Sequence, residues 1–227
     1  MACERDIRAP ATTNCGVGWP ICCSAKGLRE RCMGTQSILP EPLAVTIKVT
    51  TALESLGVAY AIGGSLASTV YGEVRTTQDS DILADMRPEH IDPFVQALQA
   101  EFFMDPQMIA DAIARNSSFN IIHRESMFKV DVFIPEQTPF NRSELNRARR
   151  HAVSADAAIA ADFCSAEDTV LSKLHWFRMG GETSERQWRD AQGILKTQAE
   201  ALDQEYLRNW AHELGITDLL ERLLEET

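Results

Sequence analysis

Positive charge is in short supply. Lysine and arginine together number 22 against 33 aspartates and glutamates, a formal net charge of −11 over 227 residues. So acidic a surface argues against non-specific nucleic-acid binding by the molecule as a whole. No apolar run approaches the roughly 20 residues that a membrane-spanning helix needs, so no membrane partner is expected. Zinc-finger spacing is also missing. Cys3, Cys15, Cys22, Cys23 and Cys32 crowd into the first 34 residues without paired short spacings, and no histidine precedes His90, which speaks against a zinc site. Gly16, Gly18 and Pro20 interrupt the run 15–23, while Glu4 and Asp6 offset Arg5 and Arg8. The segment therefore does not read as an export signal, and a cytoplasmic location is expected. Residues 1–34 are expected to form a disordered extension, or to precede a true start at Met33. The rest has an ordinary make-up, 44% hydrophobic and 24% charged, enough for one or two domains with a sizeable core.

The chain is organised around residues 58–83, VAYAIGGSLASTVYGEVRTTQDSDIL. The apolar run 58–62 followed by Gly63-Gly64 predicts a buried strand meeting a turn. Ser65 is placed to cap a short helix that Gly72 stops. Residues 75–83 predict a second strand, on which Asp79 and Asp81 project to the same face. Two carboxylates so close repel each other unless a proton or cation intervenes. Hard oxygen ligands of this kind suit Mg²⁺, which is bound by a few carboxylates together with substrate phosphates. The Gly63-Gly64-Ser65 turn offers backbone N–H groups at a helix N-terminus, a seat for phosphate. Downstream, Asp131 sits within the near-continuous apolar strand 127–134. A buried carboxylate there needs a partner. Either an arginine pairs with it, or it completes a metal site with Asp79 and Asp81, and the second reading is favoured.

Elsewhere, Pro40-Glu41-Pro42 and Gly57 bracket a helix over 43–56. A helix is predicted over 87–103, a shorter one over 108–115, and a hairpin pairing 119–122 with 127–134, its turn holding His123 as a non-ligand. The basic run 141–151 reads as one solvated helix face, narrowly ahead of a strip for a polyanionic acceptor such as RNA. The last third is helical: Ser165 caps a helix to about residue 179, Ser184 caps the next, and two more lie near 203–214 and 217–224. Trp176, Trp188 and Trp210 fall at core spacing, which predicts packing and no base stacking.

The signature in 63–81 resembles that of the nucleotidyltransferase superfamily with the polymerase-β-like fold, whose pattern is Gly-Gly or Gly-Ser followed by Asp-x-Asp. Within it, Gly72, Arg75, Thr77, Asp79 and Asp81 resemble the AbiEii-type toxins and related small bacterial nucleotidyltransferases. The spacing suits Gly64-Ser65 as the motif pair, and Ser80 stands where an apolar residue is usual. Glu167-Asp168, Lys173-Leu174 and Arg189-Asp190 resemble the helical half of those proteins. The resemblance implies an α+β fold, a mixed sheet flanked by helices over residues 35–160, followed by a C-terminal helical bundle over 161–227. It implies nucleoside monophosphate transfer from an NTP to a hydroxyl, with two Mg²⁺ ions held by Asp79, Asp81 and Asp131. Gly63, Gly64, Ser65, Arg75 and Lys173 would then serve the nucleotide. The acceptor stays open between tRNA or a protein, with a cognate toxin or antitoxin partner, and a small molecule of the antibiotic type. A catalytically silent nucleotide- or partner-binding module is a further alternative.

Overall fold

Proline sets the start of the first helix. Pro40 precedes α1 (Glu41–Ser55) and Pro42 lies in its first turn, where a missing N–H costs nothing. The computed structural model describes residues 39–155 and 157–227, so the expectation for residues 1–34 lies outside them. The chain then forms β1 (Tyr60–Ile62), α2 (Gly64–Tyr71) and β2 (Asp79–Ala84), with β1 antiparallel to β2 and Ala61 opposite Leu83. The strand expected over 75–83 starts only at Asp79, since residues 75–78 pair with no neighbouring strand, and there the side chains of Arg75 and Thr77 bind Asp190, Ser65 and Asp79.

The helix expected over 87–103 is also shorter. One 3-10 turn (Pro88–His90) leads into α3 (Ile91–Leu98), and Phe102–Phe103 forms a strand, β3. The apolar stripe that buries Phe94 and Leu98 ends there, and Phe102 packs across the sheet on His123, ring centroids 5.2 Å apart. Asp105 caps α4 (Pro106–Arg115) by accepting the Gln107 N–H, and Asn116 closes it in the left-handed conformation, as this residue type readily does. The hairpin of β4 (Ser118–His123) and β5 (Lys129–Phe133) follows.

The basic run does not make one helix face. It is split between α5 (Pro139–Asn146) and β6 (Arg149–Ala152), which pairs antiparallel with β7 (Ala160–Phe163). These two four-residue strands complete a mixed seven-stranded sheet among the described residues, ordered β3-β4-β5-β2-β1-β7-β6, with β2–β5 and β1–β7 parallel. The last third gives α6 (Ala166–Met179), α7 (Glu185–Gln198), α8 (Gln204–Glu213) and α9 (Thr217–Glu225). Ser165 and Ser184 cap the first two by accepting the N–H of Asp168 and Gln187. Helices α1, α3 and α4 pack with the sheet around Ile62, Ile82, Phe94 and Val132, and a second core gathers Val170, Leu174, Ile194, Leu207 and Leu220 from the C-terminal helices. The fold is α+β, a mixed sheet with flanking helices followed by a helical bundle. Among the described residues no helix is long and apolar enough to cross a membrane.

Candidate active site

Among the described glycines, the closest approach joins the turn after β1 to β2. Gly64 stands at φ +55°, and a Cβ there would lie 1.7 Å from Asp81 Oδ2. Only glycine tolerates both the backbone and the space. The neighbouring Gly63 donates its N–H to Asp81 O at 2.9 Å, so that amide is committed to the sheet. Gly63, and not Ser65, is the N-cap of α2, leaving the amides of Gly64 and Ser65 in the first helical turn without intrahelical acceptors. Ser65 turns its side chain inward and accepts from Arg75 Nη2 at 2.5 Å.

Parallel pairing sets Asp81 opposite Asp131, and Asp79 opposite Lys129, so all four side chains share one face. Thr77 Oγ1 steadies Asp79 at 2.9 Å from its carbonyl and 3.2 Å from Oδ1. Burial pushes the Asp81 carboxyl up to about 6, aided by the charges of Asp79 and Asp131 and opposed by Lys173 and Lys129. The partner of Asp131 is a lysine: Lys129 Nζ lies 2.7 Å from its Oδ2. Among the described residues no three His, Cys, Asp or Glu side chains stand together as a metal-holding group. The carboxylates are nonetheless the donor type that hard divalent cations prefer, although they are not gathered into a ligand set. They present hard oxygens on one face, with Asp81 short of compensating positive charge.

The charged residues expected beside the phosphates converge on a residue that carried no role in the sequence reading. Arg75 donates through Nε and Nη2 to Asp190 Oδ1 and Oδ2 at 3.0 and 2.9 Å, and Lys173 Nζ lies 3.0 Å from Oδ2. Burial pushes the Asp190 carboxyl up, but Arg75 and Lys173 outweigh it and hold it below the ordinary carboxylate value. Asp190 is thus the hub joining α7 to the turn. The Arg189-Asp190 pair marked the position in the sequence, but not its partners.

A cleft of about 1030 Å³ opens beside this centre. Gly63, Gly64, Asp81 and Lys173 line it, whereas Asp79, Asp131, Ser65 and Arg75 lie outside its lining. Glu144, on α5, also faces it. Its carboxyl is 7% exposed, and burial together with the charge of Asp168 pushes it up to about 7. Oε1 accepts from Ser172 Oγ at 3.1 Å and from Cys164 Sγ at 3.6 Å. No sequence pattern singles it out, since α5 is polar on most of its length. Trp176 departs from expectation: it is 55% exposed, lies tilted at 56° to the Phe133 ring and lines the cleft. Trp188 and Trp210 do pack on the helical core.

Part of the basic run is engaged within the protein, while Arg142 and Arg149 are exposed. Arg147 pairs with Glu167 at 3.1 Å and lies over the Tyr206 ring, Arg150 pairs with Glu54 at 2.8 Å, and His151 Nε2 meets Tyr71 OH at 2.9 Å.

No family model matches the chain, and no curated protein matches it. Solved structures do. An antigenic nucleotidyltransferase-like protein from Paracoccidioides brasiliensis is similar over 83% of this chain and 90% of its own, with TM-score 0.53 and 15% identity. ANT(2")-Ia in complex with adenylyl-2"-tobramycin is similar over 76% of this chain and 95% of its own, with TM-score 0.50 and 10% identity. The fold is that of nucleotidyltransferase-like proteins.

Proposed function

We propose that the chain is a nucleotidyltransferase that moves a nucleoside monophosphate from an NTP to a hydroxyl acceptor. The observation that carries this reading is the nesting of the Asp81 carboxylate against Gly64, with Asp131 in register on the adjacent strand. It supports a phosphate seat beside a carboxylate face, on a nucleotidyltransferase-like fold. Residues 35–160 would form the catalytic part and 161–227 the helical part.

Asp79, Asp81 and Asp131 would hold two Mg²⁺ ions, which when bound neutralise the triphosphate and the charge that develops on the leaving pyrophosphate. Gly64 and Ser65 amides receive the β- and γ-phosphates. Gly63 contributes the turn's backbone shape, its N–H being engaged by Asp81 O. Arg75 and Lys173, fixed by Asp190, supply positive charge beside them. Asp131 has Oδ2 engaged by Lys129 and offers Oδ1 to the proton of the incoming hydroxyl. The acceptor oxygen then bonds to the α-phosphorus as the bond to the bridging oxygen breaks, and pyrophosphate leaves. Positioning and electrostatics suffice, with no covalent nucleophile.

The toxin or antitoxin setting rests on the Gly72, Arg75 and Thr77 likeness and on the basic run. A small-molecule acceptor is the second reading, and the pairing of Arg147 and Arg150 within the protein favours it. Incubation with α-labelled ATP, GTP, CTP or UTP and Mg²⁺, against pooled tRNA, proteins and small hydroxyl compounds, tests transfer directly. Asp81→Ala should lower it at least about a thousandfold, the scale of a preorganised charge-stabilising group, with unchanged circular dichroism. Undiminished transfer by that variant would falsify the role given to Asp81.

A further inference from the structure

The carboxylate face holds a fourth side chain to which the transfer gives no task of its own. Lys129 stands opposite Asp79, and Asp131 opposite Asp81, in the parallel register of β5 with β2. Residues two apart on a strand share a face, so this ammonium shares one surface with three carboxylates. Its ion pair is with Asp131, Nζ to Oδ2 at 2.7 Å, and the charges of Asp79 and Asp81 attract it as well. The other lysine near Asp81 is placed differently. Lys173 has its side chain 7% exposed and ties to Asp190, a carboxylate outside the three. The Lys129 side chain is 43% exposed.

A divalent cation seated among these carboxylates repels the ammonium, and Asp131 Oδ2 cannot serve both at once. A pair exposed to this degree is held weakly, because water competes for both partners. The lysine stem is flexible, and its ammonium is readily hydrated once released. Among the described residues Nζ has no ion pair besides Asp131 to hold it in place.

We propose that Lys129 is a tethered cation that occupies Asp131 in place of a divalent ion and must swing out before one binds there. Metal loading at Asp131 is thus an exchange of one cation for another, and Lys129 sets how much divalent metal the face requires. This rests on the reading of Asp79, Asp81 and Asp131 as a cation site, but it requires no nucleotide, acceptor or transfer. Electron paramagnetic resonance titration of the full chain with Mn²⁺, without nucleotide, measures the exchange. Lys129→Met keeps the apolar stem and removes the ammonium, and should bind Mn²⁺ at least about tenfold tighter than the parent. Lys129→Arg keeps a cation beside Asp131 and should bind no tighter than the parent. Asp131→Asn removes the contested ligand, so in that background the gain from Lys129→Met should shrink by at least about threefold. Thermal melting without metal checks that each variant is folded, and Lys129→Gln replaces Lys129→Met if the latter is not. Equal Mn²⁺ affinity of parent and Lys129→Met, or an undiminished gain in the Asp131→Asn background, overturns the role of Lys129 and leaves the cation site standing. Absence of Mn²⁺ binding by both parent and Lys129→Met overturns the cation site itself, and the exchange with it.

Discussion

Between the two aspartates of β2, Ser80 faces the opposite side of the sheet, fully buried, and its hydroxyl has no hydrogen-bond partner. An orphaned hydroxyl of this kind costs about 1 kcal/mol or more, whereas alanine fits the same space with no polar atom to satisfy. Ser80→Ala should therefore raise stability by about 1 kcal/mol in urea unfolding, without changing nucleotide transfer. A loss of stability would show that the hydroxyl is satisfied in solution. Gly64 behaves in the opposite way: an alanine there meets both a left-handed backbone and the Asp81 carboxylate, so stability and transfer should fall together. At this scale the sequence was informative for Asp79 and Asp81, which alternation placed on one face, whereas Asp131 joins that face through the parallel register of β2 with β5. It said little about Glu144, whose burial depends on α5 lying against α6, where Ser172 meets its carboxylate.

Helix α7 reaches the turn through one side chain. Asp190 holds Arg75 in a two-point grip and Lys173 by an ion pair, all with little solvent around the carboxylate. Removing one member of a buried ion pair strands the others, at about 3 kcal/mol or more. Asp190→Ala should thus destabilise by about 3 kcal/mol and raise the KM for NTP in labelling assays. Asp190→Asn keeps the shape and should recover much of the stability while the KM defect persists. A wild-type KM in both variants would reduce Asp190 to a packing role. Elements with strong local signals were legible: the caps of α6 and α7, the hairpin, and the glycine turn. The strands β6 and β7 were not. Each has four residues, β6 shows a mostly exposed pattern, and its ladder partner comes from a later strand. The partners of Asp190 were equally hidden, because Arg75 precedes it by 115 positions.

The whole molecule carries buried acid whose titration couples to folding. Glu144 goes from 4.5 when unfolded to about 7 in the fold, pushed first by burial and then by Asp168. Its surroundings hold no compensating cation: Ser172 and Cys164 donate to it, and Arg147 is engaged by Glu167 and Asp168. Between those pH values the folded state binds more protons than the unfolded chain, so stability falls as pH rises from about 4.5 to 7 and levels off above. The penalty from this group is on the order of 3 kcal/mol. Glu144→Gln should remove most of it: melting temperatures of variant and parent should agree near pH 5 and separate in favour of the variant near pH 8. If the gap does not widen with pH, Glu144 does not titrate as a buried acid.

The bond between Arg75 and Asp190 also sets a schedule. As the chain leaves the ribosome, the glycine turn and all the aspartates of the sheet have emerged well before residue 190 appears. Until then Arg75 and Lys173 lack the carboxylate that pairs with both of them. A nascent or prematurely terminated chain therefore carries the acids of the proposed site without the Asp190 clamp on Arg75 and Lys173, which forms only once α7 has emerged.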